Sequence, residues 1–202
     1  MSDIKKGLDG CLRGGAPVIC VNEFGIPIGY IDKEDAHKIG SPMHMAVSIF
    51  VFNEDGKLLV QQRSMEKEIA PGVWSNTCCA HPKPGQLVKE AAIERLAIET
   101  GIRCDLTEIC TMKLQEDLGN GQAWNEFDHI FVGRSNDKPN PNPVEVNKLS
   151  WIDIDDLKID MNLNPDKYSG VLKHALEKAV EFNAKSVEEN ASMAKANRKV
   201  IR

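Results

Sequence analysis

The sequence predicts a single α/β domain. Short apolar runs of strand length, separated by turns rich in Gly, Pro and Asn, alternate with two stretches of helical periodicity. A length of 202 residues suits one domain and is enough for a real core. No internal repeat and no second domain is visible.

The elements follow in order. Residues 1–15 are polar, end in Gly14-Gly15 and read as a flexible N-terminal arm; 16–184 form the domain and 185–202 a polar C-terminal tail, a frayed continuation of the last helix. Residues 17–21 and 26–31 are apolar runs around Asn22-Glu23-Phe24-Gly25, which predicts a hairpin, with Pro27 confining its strand to an edge. Residues 32–37 make a polar turn or one helical turn. The run 45–52, the turn Asn53–Gly56 and the run 57–63 predict a second hairpin. A charged loop carries Lys67. Gln86–Thr100 reads as a helix opened by Pro84-Gly85 and closed by Gly101. Strands are expected around 102–115, 126–133 and 149–154. Asn164-Pro165 opens a last long helix, whose Leu172, Ala175, Leu176, Ala179 and Val180 form one apolar stripe for the core.

A net charge of −5 gives no global field for nucleic acid or an anionic membrane surface, so any phosphate site must come from a local basic cluster. No apolar run reaches the length of a membrane span, and the first ten residues lack the build of a signal peptide. With six cysteines and no Cys-x-x-Cys pair, the expectation is free thiols in a cytoplasmic protein rather than disulfides or a zinc knuckle.

The chemistry-bearing stretch is Pro71–Pro82. In extended backbone, alternate side chains share a face, so Cys79 and His81 point one way and Cys78 the other. The plainer reading is a buried cysteine pair before a proline turn. Arg63, Lys67, His37, His44, Glu99 and Glu126 around it are the parts of a site for a metal and a diphosphate. Arg95 and Glu99 share a helix face, plainly read as an exposed i,i+4 ion pair.

Gly25–Gly29, His37, the His44 strand, Gln62-Arg63, Pro71–Trp74, Asn76–Pro82 and Glu126–Phe131 together resemble type 1 isopentenyl-diphosphate isomerase over about residues 16–182. That resemblance implies a Nudix-like fold, a mixed β-sheet flanked by helices. It implies interconversion of isopentenyl and dimethylallyl diphosphate in isoprenoid biosynthesis, with Cys79 and Glu126 as the catalytic pair. It also implies a divalent metal (Mn, Zn or Mg) on His37, His44, His81 and Glu126, and a Mg²⁺ bridging the diphosphate and Glu99. Lys33, Arg63, Lys67 and Arg95 match the cations around the diphosphate. The partner implied is a small-molecule diphosphate, with no nucleic acid and no membrane; oligomeric state stays open.

The sequence departs from the family pattern at three pocket positions. A second metal-binding glutamate is replaced by Trp124, a tyrosine by Leu114 and a tryptophan by Val171. Two other readings therefore stand beside the isomerase: a diverged Nudix-type phosphohydrolase, and a non-catalytic relative that binds a diphosphate or metal. Against the hydrolase, Gly85 and Gly101 are too close for the helix motif of those enzymes, and Glu99 is the one retained member of its paired terminal acids.

Overall fold

The computed structural model describes residues 17–200, so the expected N-terminal arm lies outside the described residues. β1 (Pro17–Val21) and β2 (Pro27–Asp32) form the first antiparallel hairpin, and β2 lies at the sheet edge, as Pro27 requires. The Asn22 side chain accepts hydrogen bonds from the Phe24 and Ile26 amides, closing the turn. Gly25 is left-handed there, with φ at 76°, and a Cβ would stand 2.6 Å from the Phe127 ring, so only glycine fits.

One helical turn, α1 (Lys33–Ala36), leads to β3 (His44–Phe52), which is buried along its whole length. One edge of β3 pairs in parallel with β8 (Gln122–Arg134) from His44 to Phe52. The other edge is shared by three short partners. β1 meets it at His44, β6 (Cys78–Ala80) at Val47–Ile49, and β4 (Leu58–Arg63) at Phe52 alone.

The expected second hairpin therefore exists only at its base. Past Leu58, β4 leaves β3 and pairs with β5 (Trp74–Ser75) and β9 (Val146–Ile152). Side chains from 76 and 77 fill the split. Thr77 Oγ1 accepts from the Val51 amide at 2.8 Å and donates to the Leu59 carbonyl at 2.6 Å, while Asn76 Nδ2 donates to the Ile49 carbonyl. Buried backbone groups need partners, and a polar pair meets that need where a ladder is missing.

α2 (Val88–Thr100) ends at left-handed Gly101, starting two residues later than the sequence indicates. β7 (Leu106–Gly119) and β8 form a hairpin longer than expected. Its turn is held against α1, with the Ile39 amide on the Gly121 carbonyl and the Ala123 amide on the His37 carbonyl.

The expectation fails after β9. Residue 154 is not strand: Asp153 caps a helix, α3 (Ile154–Leu163), by accepting from the Asp155 amide, with Asp155 and Asp156 in the first turn. Pro165–Lys167 is only a 3₁₀ turn, because Tyr168 and Ser169 are drawn into extended backbone beside Trp74, whose carbonyl takes the Ser169 amide at 2.8 Å. The long helix α4 (Gly170–Val200) starts after that contact and runs without a break past 184/185, where the sequence reading divides domain from tail.

Side-chain alternation on β3 divides the core between two faces. Phe50 and Phe52 pack with Leu172, Ala175, Leu176 and Ala179 of α4, the stripe read from the sequence. Val47, Ile49 and Val51 pack with Ala92 and Leu96 of α2. Each large apolar side chain so buried stabilises the fold by roughly 1.5–3 kcal/mol. His44 and Ser48 share the even-numbered face of β3 with Phe50 and Phe52.

Candidate active site

Register places the first site. His44 and Glu126 are partners in the parallel β3–β8 pair, His81 follows β6, and His37 follows α1. Glu126 Oε1 stands 3.4 Å from His81 Nε2, 3.7 Å from His44 Nε2 and 3.9 Å from His37 Nε2. One donor atom from each of the four lies within 4.8 Å of the others. His37 Nδ1 is 2.7 Å from the Lys33 carbonyl, which turns Nε2 toward Glu126.

These residues fit a divalent metal on structural grounds. His44 is fully buried, and neither of its ring nitrogens has a hydrogen-bond partner, a costly arrangement unless an ion completes it. Burial holds His37 down to about 4 and His81 to about 3, so both stay neutral and able to ligate near neutral pH. Burial alone would raise the Glu126 carboxyl, but His44 and His81 outweigh it and keep Glu126 well below the usual carboxylate range.

Beside this group, β6 presents Cys79 and Cys78 to opposite faces, as strand phase requires. Cys78 is fully buried in the α2-side core. Cys79 Sγ stands 3.2 Å from Asn76 Oδ1 and 3.4 Å from Ser48 Oγ, and burial pushes its thiol up to about 12. Ser48 Oγ in turn donates to Asp128 Oδ2 at 2.6 Å. Asp128 is fully buried, and its carboxyl is raised well above the usual range by burial and then by Glu126. The sequence reading missed Asp128 and Ser48. The available signal was strand alternation, which puts residues 124, 126 and 128 on one face.

The four cations converge. Arg63 donates to the Ile69 and Ala70 carbonyls, and Lys67 and Arg95 both pair with Glu145. Lys33 reaches solvent, yet loss of hydration, followed by the charges of Lys67, Arg95 and Arg63 against a pull from Glu145, lowers its pKa. Glu145 was also missed, since it lies in a loop with no periodic signal. Arg95 and Glu99 do not form the exposed pair that helix spacing alone implies. Glu99 is 4% exposed, 2.5 Å from Arg95 Nη2, and accepts from Gln61 at 3.3 Å.

The departing positions line one apolar wall. Leu114, opposite Glu126 in the β7–β8 pair, is 2% exposed and packs in one cluster with Val171, Tyr168, Trp74, Trp124 and Cys79. Trp124 shares the strand face of Glu126 and is not among the four donor groups. A cavity of about 480 Å³ opens beside His37, lined by Glu34, Glu68, Ile69 and Gln122. A second depression of about 500 Å³, lined by Gln86, Ile93, Ile98 and Arg103 on the outer face of α2, holds none of these groups. His129 engages Glu108 instead of the metal group.

A NUDIX domain matches residues 42–172. Isopentenyl-diphosphate Delta-isomerase 1 of Aromatoleum aromaticum is 40% identical over 163 residues, which is 81% of this chain and 92% of that protein. Isopentenyl-diphosphate Delta-isomerase of Pectobacterium atrosepticum is 38% identical over 152 residues, 75% of this chain and 84% of the relative. Among solved structures, DR0079 from Deinococcus radiodurans superposes with a TM-score of 0.68 at 18% identity, covering 81% of this chain and 98% of that one, a likeness of fold alone. The chain therefore belongs to the isopentenyl-diphosphate Delta-isomerase family of NUDIX-domain proteins.

Proposed function

We propose that the protein interconverts isopentenyl diphosphate and dimethylallyl diphosphate, a step of isoprenoid biosynthesis. The observation that supports this is the Cys79 thiol lying near enough to Glu126 to feel its charge, with Glu126 drawn into the three-imidazole group.

The reaction adds a proton to the terminal alkene carbon, leaving positive charge on the branched carbon. A proton then leaves the neighbouring methylene, and its C–H electron pair becomes the new double bond. One acid and one base are needed. With its thiol at about 12, Cys79 holds a proton at neutral pH, while Glu126 is ionised. The pair thus carries one proton. One forward turnover leaves the proton on the other member, proton exchange with solvent restores the starting form, and the reverse reaction starts from the exchanged form.

His37, His44, His81 and Glu126 would hold a divalent ion, with Mn, Zn and Mg the candidates from imidazole and carboxylate donors. Glu126, held on such an ion, would be a stronger acid when protonated. Lys33, Arg63, Lys67 and Arg95 take the diphosphate, with Glu99 available to its Mg²⁺. Glu145 orients Lys67 and Arg95 by pairing with both. Free thiols at the described cysteines fit a reducing, cytoplasmic setting. Residues 16–184 would make up the catalytic domain, between an arm at 1–15 and a tail at 185–202.

Hydrolysis is disfavoured because α2 offers Glu99 already engaged by Arg95 and Gln61, with exposed Ile98 beside it. Incubation with isopentenyl diphosphate and divalent metal in deuterated water tests the reading. The expected outcome is deuterium-labelled dimethylallyl diphosphate without phosphate release. Phosphate release, or an unlabelled and unchanged substrate, would refute it.

A further inference from the structure

Glu116 lies on β7 directly opposite Trp124, and facing residues of an antiparallel pair share a side of the sheet. Its carboxylate therefore belongs to the wall that carries Trp124 and Glu126. It extends to the start of α4, where a Cβ on Gly170 would overlap Glu116 Oε2, so the glycine makes room for the carboxylate beside Val171. Oε1 stands 3.7 Å from Lys173 Nζ. Oε2 is buried with no hydrogen-bond partner. Lys173 meets only the Oε1 side of this carboxylate, so Oε2, buried at the border of an apolar cluster, stays costly until a second positive group approaches it.

The metal is not that group, because Glu116 stands outside the set of His37, His44, His81 and Glu126, and its oxygens turn toward Lys173 and Gly170. We propose that Glu116 is a specificity-determining residue of this site, whose carboxylate faces the branched-carbon end of the bound alkyl diphosphate and stabilises the positive charge that develops there. The inference rests on the isomerase reading. The wall supports it chemically. Val171 is aliphatic and offers no π-face, Trp124 offers one next to Glu116, and a carboxylate beside an indole is a strong environment for a cation. Glu116 neither gives nor takes a proton in the reaction. Its charge also repels a diphosphate, which favours entry of the substrate with its hydrocarbon end toward α4 and its phosphates on the Lys33–Arg95 cluster.

Binding separates this role from a structural one. The probes are an alkyl diphosphate with a tertiary ammonium at the branched-carbon position and its uncharged carbon isostere, measured by titration calorimetry on the full chain with divalent metal. The native protein should prefer the ammonium compound, and Glu116→Gln should lower that preference at least about tenfold while binding the isostere as before. Gly170→Ala keeps the charge but displaces the side chain, and should lower the preference in the same direction; it decides the matter if Glu116→Gln does not fold. An undiminished preference overturns the role of Glu116 and leaves the isomerase reading intact. Failure of the isostere to bind the native protein overturns both.

Discussion

At Cys79 the thiol lies between Asn76 and Ser48 on the α4 side of the sheet, whereas the neighbouring Cys78 is enclosed by the α2-side core. Cys79→Ala should lower kcat by at least a hundredfold while leaving diphosphate binding in place, since it deletes one of two proton-transfer groups. Cys78→Ala should cost about 1 kcal/mol of stability and leave kcat within a few-fold. Equal losses of turnover would show the strand phase to be wrong. Position 124 carries a second expectation. Trp124→Glu introduces a carboxylate able to join the metal group, but it also puts like charges directly opposite each other at 116 and 124. The single variant should melt lower than the native protein. Adding Glu116→Gln should recover about 0.2–1 kcal/mol, and the double variant should bind divalent metal more tightly than the native protein. Melting curves and metal titrations check both statements.

The departure of β4 from β3 shapes the site at the level of elements. Two strands adjacent in the chain that could have formed a ladder part after one residue pair, and the side chains of Asn76 and Thr77 take over the freed backbone groups. Thr77→Val preserves shape but leaves the Val51 amide and the Leu59 carbonyl without that partner. At about 1–3 kcal/mol for each unsatisfied group, the melting temperature should fall by several degrees. Activity should fall with it, since Cys79 follows two residues later. An unchanged melting temperature would mean that water replaces the hydroxyl. The first turn of α4 has a similar dependence. Tyr168 and Ser169 are held by Trp74, so β5 fixes where the helix begins and sets Gly170 against Glu116 and Val171 in the apolar cluster.

For the whole molecule, the buried imidazoles set the acid limit of the metal-free protein. His37 and His81 titrate at about 4 and about 3 when folded, below the ordinary histidine value of about 6.5. Between those values the unfolded chain binds more protons, so stability rises with pH and is lost as pH falls from about 6.5 through the folded values. Glu126 is depressed and acts in the same direction below the ordinary carboxylate range. Asp128, raised by burial, acts in the opposite direction, but one carboxyl offsets only one of the two imidazoles. Urea midpoints should therefore decline from pH 7 to pH 4. Saturating divalent metal should raise them most at neutral pH, because protons compete for the same nitrogens. A midpoint that stays flat over this range would contradict the burial of the histidines.

Much of this protein is legible in the chain itself, because local chemistry acts over a few residues. Alternation of side chains separates Cys79 from Cys78, Pro27 keeps its strand at an edge, Gly101 ends α2, and the apolar stripe of α4 marks its core face. The motif around His81 carries the family resemblance, and one donor atom from each of His37, His44, His81 and Glu126 lies within 4.8 Å of the others. Other features depend on which elements meet, and no local pattern encodes that. Glu99 reads as an exposed partner of Arg95 until Gln61 and the sheet enclose it. Asp128, Glu145 and Glu116 acquire meaning only when register and packing place them beside Ser48, Lys67 and Gly170. The start of α4 shows the same limit, since Asn164-Pro165 is a sound helix opening by propensity and a contact with Trp74, distant in sequence, moves the start to Gly170. Propensities and phase are short-range free energies, whereas burial, charge pairing and register are decided by groups far apart in the chain.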